Sequence, residues 1–241
     1  MSLRKSKEMG YTYDQVKLSE TIAQQIGRRS ATSLQWLRQQ QEKLLQGGKN
    51  NVFGVTFTAI PRFVDKGDAG LAEADADLFS ELRNGFTPLH WPLDRLARAW
   101  WLLQLPAADE AYYVMQVESL FEAAAVQEQV ALYSALPLLA YPEQFKLRAA
   151  EGIRTSLGDV FDAVALDNPY PSEYLEEGAW NQLVLKAFFM ERPVKRIIGL
   201  EKRVNPELGR MLTDYARERE AAGRTVDPQL HQLAARCAGK Q

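Results

Sequence analysis

Cysteine is almost missing from this chain: Cys237 is the only one in 241 residues. A single thiol excludes an internal disulfide and any metal cage built from cysteines alone. Histidine is nearly as scarce, and His90 and His231 lie far apart, outside any ligand spacing such as H-E-x-x-H. Neither a metal nor a cofactor is expected. Cys237 sits among small and polar residues near the C-terminus and reads as a bystander thiol rather than a nucleophile. G-x-S-x-G, the P-loop and G-x-G-x-x-G are all absent. No long hydrophobic run occurs either. The best, Ala99-Trp-Trp-Leu-Leu103, is interrupted by Gln104 and Pro106, far short of the ~20 residues that span a bilayer. The basic residues near the start are not followed by an apolar stretch, so no secretory signal is read and the expected location is cytoplasmic. Nor does one sign of charge dominate. With 29 Lys+Arg against 31 Asp+Glu, no global basic field favours nucleic acid.

What is present is helical periodicity. Hydrophobic residues make up 46%, enough for a substantial core. Residues 13–46 read as two helices with a break at Gly27, closed by a turn over Gly47–Asn51. Val52–Val64 is β-branched and aromatic, the one strand-like run, yet it lacks a pairing partner and reads equally as a short buried helix. Further helices are expected over 71–82, 92–104, 110–124, 126–136 and, as one long helix, 143–166. Others follow over 176–190 and 206–222, the latter ending at Gly223 as C-cap. A last short helix begins at Asp227-Pro228. Leu105-Pro106 and Tyr141-Pro142 recur 36 residues apart, a period of helical-hairpin arrays. The predicted fold is all-α without significant sheet: a helical-hairpin array of α-solenoid kind, or an irregular bundle. It forms one globular unit, with an N-terminal helical segment (1–50) packed on a main domain (51–241).

Charge is uneven. Residues 106–190 carry 4 basic and 13 acidic side chains, residues 191–241 carry 11 and 7, and residues 1–50 carry 9 and 4. Docking of an acidic middle on basic ends is one use; a solvated helical surface is the plainer one. The carboxylate pairs Glu176-Glu177 and Asp75/Asp77 read as cap and surface residues.

Three segments offer polar chemistry beside apolar stripes. Arg154 follows Ile153 and emerges beside such a stripe, with Glu151 as its natural partner. Asp167-Asn168-Pro-Tyr170-Pro ends an apolar helix in a stiff loop, and Trp180-Asn181 opens the next helix, with Lys186 around it. An Asn and a Lys beside aromatics are costly to bury unpaired, so they either satisfy the loop's backbone or line a polar pocket. Asn181 is expected to hydrogen-bond the loop, with Arg154 on the same side. Arg62, after Pro61, is either a snorkelling side chain or an anion contact. Arg98 with Trp100-Trp101 reads as rim and core rather than an aromatic cage.

At these same segments the chain resembles the EboA family of metabolite-traffic proteins. The resemblance rests on Phe57-Thr-Ala-Ile-Pro-Arg62, Leu132-Tyr-Ser-Ala-Leu-Pro-Leu-Leu139 and Glu151-Gly-Ile-Arg-Thr-Ser156. It rests most on Val164-Ala-Leu-Asp-Asn-Pro-Tyr-Pro171 running into Trp180-Asn-Gln-Leu-Val-Leu-Lys-Ala187. Gly199-Leu, Asn205-Pro and Asp214-Tyr-Ala-Arg-Glu-Arg219 with Ala222-Gly-Arg224 continue it. It covers roughly residues 50–235, the first fifty looking less family-like. The resemblance implies an accessory role in producing or exporting secondary metabolites, beside a membrane prenyltransferase-like protein and barrel-type enzymes. It carries no catalytic residues. The expected partners are therefore a small metabolite or the pathway's enzymes; a polar enzyme site at Arg154/Asp167/Asn181/Lys186 and a purely structural adaptor remain the alternatives.

Overall fold

The structure is a computed structural model and describes residues 9–47 and 51–239. Among these residues there are helices and no strand; one isolated antiparallel bridge joins Asp68 and Pro92. No helix among them is long and apolar enough to cross a membrane. The chain divides into two compact units, Met1–Phe145 and Lys146–Gln241.

The first unit opens with α1 (Gln15–Arg29) and α2 (Ala31–Leu45). Leu18, Ile22 and Ile26 recur every four residues and are fully buried, which is why this stretch is helical and which face it hides. The break falls at Ser30, not at Gly27. Ser30 is extended, and its hydroxyl accepts from the Ser33 N–H at 3.2 Å, capping α2. Gly27 stays inside α1 for a packing reason: a Cβ there would come within 2.8 Å of Leu34 Cδ2. The turn expected over Gly47–Asn51 falls largely on residues 48–50, outside the described residues.

The strand-like run is the helix α3 (Val52–Phe63), capped by the Asn51 side chain on the Gly54 N–H. With no strand to pair with, its backbone is satisfied internally, and Phe53, Phe57 and Ile60 share the buried face. Pro61 cannot donate to the Phe57 carbonyl. That carbonyl instead accepts from Arg98 Nε at 3.3 Å. Arg98 lies on α5 (Leu93–Leu102), which follows α4 (Glu73–Leu82). It is buried, 3.2 Å from Asp94 and 3.9 Å from Glu128, so it belongs to the core and not to a rim. Burial pulls the Arg98 pKa below its ordinary value, opposed by the two carboxylates. Then come α6 (Glu110–Ala123), α7 (Val126–Ser134) and two 3-10 turns, Leu136–Leu138 and Pro142–Phe145. The segment before α1 is strapped to these turns. Tyr13 Oη donates to the Leu138 carbonyl at 2.6 Å, and the Tyr141 N–H donates to the Gly10 carbonyl at 2.9 Å.

The second unit contains α8 (Lys146–Arg154), α9 (Gly158–Ala165), the five-residue α10 (Tyr170–Tyr174) and α11 (Glu177–Phe189). A 3-10 turn, Val194–Arg196, leads to the hairpin of α12 (Pro206–Ala221) and α13 (Pro228–Ala238). The single long helix expected over 143–166 instead opens as the 3-10 turn Pro142–Phe145 and is broken over residues 155–157, because the apolar stripe continues across an interruption that only tertiary partners reveal. Part of the Asn168–Pro171 loop is itself helical, since Pro171 falls in the first turn of α10, where its missing N–H costs nothing. Gly223, at φ +67°, terminates α12, and Asp227 caps α13, both as expected. Cys237, read from the sequence as a bystander thiol, proves to be a packing residue. It is fully buried on α13 against Gly209 of α12, where a Cβ would stand 2.7 Å from its own Cβ.

Candidate functional site

The polar residues singled out around the Asn-Pro-Tyr-Pro turn are mostly used to hold helices together. Asn168 is buried; its Nδ2 donates to the Ala163 carbonyl at 2.9 Å and its Oδ1 accepts the Tyr170 N–H at 3.0 Å, bridging the end of α9 to α10. Asp167 adopts φ +50°, and its carboxylate accepts from Arg196 Nε at 2.9 Å while its N–H donates to the Arg196 carbonyl. Tyr170 is fully buried, its ring 4.9 Å from that of Tyr174. Lys186 reaches from α11 to the C-terminal end of α8, donating to the Ile153 carbonyl at 2.6 Å and to that of Thr155. It thereby caps carbonyls the broken helix leaves without partners, with its ammonium 5.4 Å from the Phe161 ring centre. Desolvation lowers the Lys186 pKa from its usual value.

Asn181 does not bond the loop backbone. Its amide pairs reciprocally with that of Asn205, the N-cap of α12, at 3.1 and 2.8 Å. The loop carbonyls of Pro171 and Ser172 go to Arg203 Nη1 instead, at 3.0 and 3.3 Å. The Arg203 guanidinium lies 4.8 Å from the ring centre of Trp180, which is fully buried. Burial depresses the Arg203 pKa, against the opposing charges of Glu176 and Glu177. Arginine suits this place because its planar fork stacks on the indole and still donates in-plane. The two residues that complete the joint, Arg203 and Asn205, were missed as site residues. Asn205 did carry a signal, Asn followed by Pro as a helix start, whereas Arg203 carried none.

Glu151 and Arg154 do not pair. Glu151 bonds Arg148 at 3.0 Å, one turn earlier. Arg154 is exposed and makes no ion pair among the described residues. Arg62 is exposed in the last turn of α3 and lines a shallow groove of about 380 Å³ with Val55, Thr58, Gln116 and Leu120.

A larger opening lies elsewhere in the second unit, a cleft of about 540 Å³ where the end of α11 meets the α12–α13 hairpin. Phe188 and Leu230 are its buried apolar residues, and Pro193 and Val226 extend it. Arg219 and Tyr215 contribute from α12, one turn apart. The Arg219 side chain is only 20% exposed, its Nε donating to the Thr225 carbonyl at 2.9 Å and its Nη1 to Tyr215 Oη at 3.1 Å. The nearest carboxylate to it, Glu191, stands 4.0 Å from Nη2 and is 82% exposed. Arg192, also at the cleft, is engaged by Asp162 at 2.8 Å, and it comes so close to α9 that a Cβ on Gly158 would lie 2.6 Å from Nη2. Among the described residues no group of three or more His, Cys, Asp or Glu is arranged to hold a metal.

The family model described as metabolite traffic protein EboA matches residues 15–235. The chain belongs to the EboA family. The match begins at the start of α1, so both N-terminal helices lie within the EboA region, where the resemblance read from the sequence covered only roughly residues 50–235. No curated protein and no solved structure matches the chain. Several of the EboA-like segments fall on the two features just described. Asn-Pro-Tyr-Pro and Trp-Asn-Gln build the joint, and Asp214–Arg219 supplies Tyr215 and Arg219 to the cleft.

Proposed function

We propose that this EboA protein acts in metabolite traffic by binding rather than by catalysis, and that the cleft beside Arg219 is where a small metabolite sits. One observation carries this reading: the polar groups that a catalytic site at the joint would need are already committed to structural bonds. Asn181 is committed to Asn205, Asp167 to Arg196, and Lys186 to the carbonyls of α8. Arg154 is exposed and has no carboxylate partner among the described residues. The cleft, by contrast, is of small-molecule size and joins apolar walls to a few polar groups, the usual composition of a ligand site.

A second reading, docking of a pathway enzyme, is favoured by Phe189, which is 67% exposed at the end of α11. Mass spectrometry of small molecules that co-purify with native protein separates the two. The expected result is a bound compound that disappears in Val226→Trp, whose indole fills the cleft. Equal occupancy in wild type and variant would remove the cleft from consideration.

A further inference from the structure

Resting on that reading of the cleft, we infer that its ligand is an amphipathic anion, with a carboxylate or phosphate head on Arg219 and an apolar body over Phe188, Pro193 and Leu230. Arg219 is the basis. Its side chain is four-fifths covered, yet its bonds are to neutral acceptors, the Thr225 carbonyl and the Tyr215 hydroxyl. A guanidinium that has given up most of its water ordinarily has an anion against it, because desolvating a charge is costly and a paired anion offsets that cost. Among the described residues the one carboxylate within ion-pair reach of it, Glu191, is held at 4.0 Å and is 82% exposed. Arg192, at the same cleft, differs in having Asp162 at 2.8 Å, so its charge is already answered. Arg219 is therefore the cation of this cleft with unsatisfied electrostatic demand, and its planar fork matches the two oxygens of a carboxylate or phosphate. Tyr215 fixes the fork from one side, with the guanidinium 5.8 Å from its ring centre. The cleft also presents Phe188, Pro193, Val226 and Leu230, while its other charged groups are engaged elsewhere, Arg192 by Asp162 and Asp227 by the Gln229 N–H, so an apolar remainder suits the ligand.

Glu191 gives the inference a signature that a nonspecific basic surface lacks. Its carboxylate competes with an incoming anion for Arg219, so removing its charge should tighten binding, and its exposure means the fold tolerates the change. The experiment is calorimetric titration of the full chain with octanoate, octyl phosphate, n-octanol and inorganic phosphate. The expected result is that octanoate or octyl phosphate binds about tenfold or more tightly than n-octanol, and that Arg219→Gln removes the difference. Glu191→Gln should tighten the same anion severalfold and leave n-octanol unchanged. Whichever of octanoate and octyl phosphate binds better identifies the head group. Inorganic phosphate binding as well as octyl phosphate would overturn the apolar body. Octanol binding as well as the anions, or affinity indifferent to Glu191→Gln, would overturn the anionic head while leaving the cleft itself in place. Failure of all four probes overturns the ligand class; the cleft is judged separately, by the co-purification comparison with Val226→Trp.

Discussion

The side-chain amides of Asn181 and Asn205 hold each other reciprocally, each NH2 donating to the other's oxygen. Asn205 Oδ1 also accepts the Leu208 N–H at 2.8 Å, so one side chain both caps α12 and ties it to α11. Asn181 is buried, and neither amide can lose its partner without exposing an unpaired polar group to a dry interface.

Asn181→Ala should therefore destabilise the protein by ~1–3 kcal/mol, the cost of an orphaned buried polar group. Asn205→Ala should cost more, since a helix cap worth ~1 kcal/mol is lost with it. The double variant should lose less than the sum, because each single change orphans the other's amide. Urea denaturation of the three variants measures this, and strict additivity would show that the pair is not coupled.

Arg154→Ala should leave the melting temperature near wild type, as exposed substitutions generally lie within ~0.5 kcal/mol. Binding of the co-purifying compound should be unchanged as well. A well-folded Arg154→Ala protein that has lost that compound would move the site from the cleft to α8.

Alkaline pH should unfold the first unit through its tyrosines. Burial holds the phenols of Tyr11 and Tyr13 well above their usual pKa and pushes Tyr113 up to about 12. A raised folded pKa means that the unfolded chain releases these protons first. Their stabilisation is complete below the ordinary tyrosine value of ~10 and is lost as pH climbs through the folded values. Phenolate absorbance followed with circular dichroism should show these tyrosines ionising only together with loss of helix. Full ionisation near pH ~10 in a folded protein would contradict the burial.

The α12–α13 contact should be intolerant of added volume. Gly209→Ala places a Cβ 2.7 Å from Cys237 Cβ and 3.4 Å from the Ala234 carbonyl, so about 1–3 kcal/mol of overpacking is expected. The Cys237 thiol, fully buried, should react with a thiol reagent only on unfolding. Rapid modification in the native protein would show that α13 opens.

Local chemistry by itself determined the helical class, the ends of the later helices and the family. Asp227 and Gly223 read correctly because caps and left-handed glycines act on neighbouring backbone groups, a short-range matter. Val52–Val64 reads from the sequence as either strand or helix because both place apolar side chains in a short run; in the structure it is the helix Val52–Phe63. Only tertiary structure placed the breaks at Ser30 and after Arg154. Gly27 is needed by Leu34 rather than by a turn, and the end of α8 is held by a lysine 32 residues beyond Arg154 in sequence. The same holds for the site. A sequence shows which polar side chains lie beside apolar stripes, and so it pointed to Asn181, Asp167 and Lys186. Whether such a group is spent on a distant carbonyl or faces an opening depends on partners tens of residues away, and here the opening formed beside Arg219 instead.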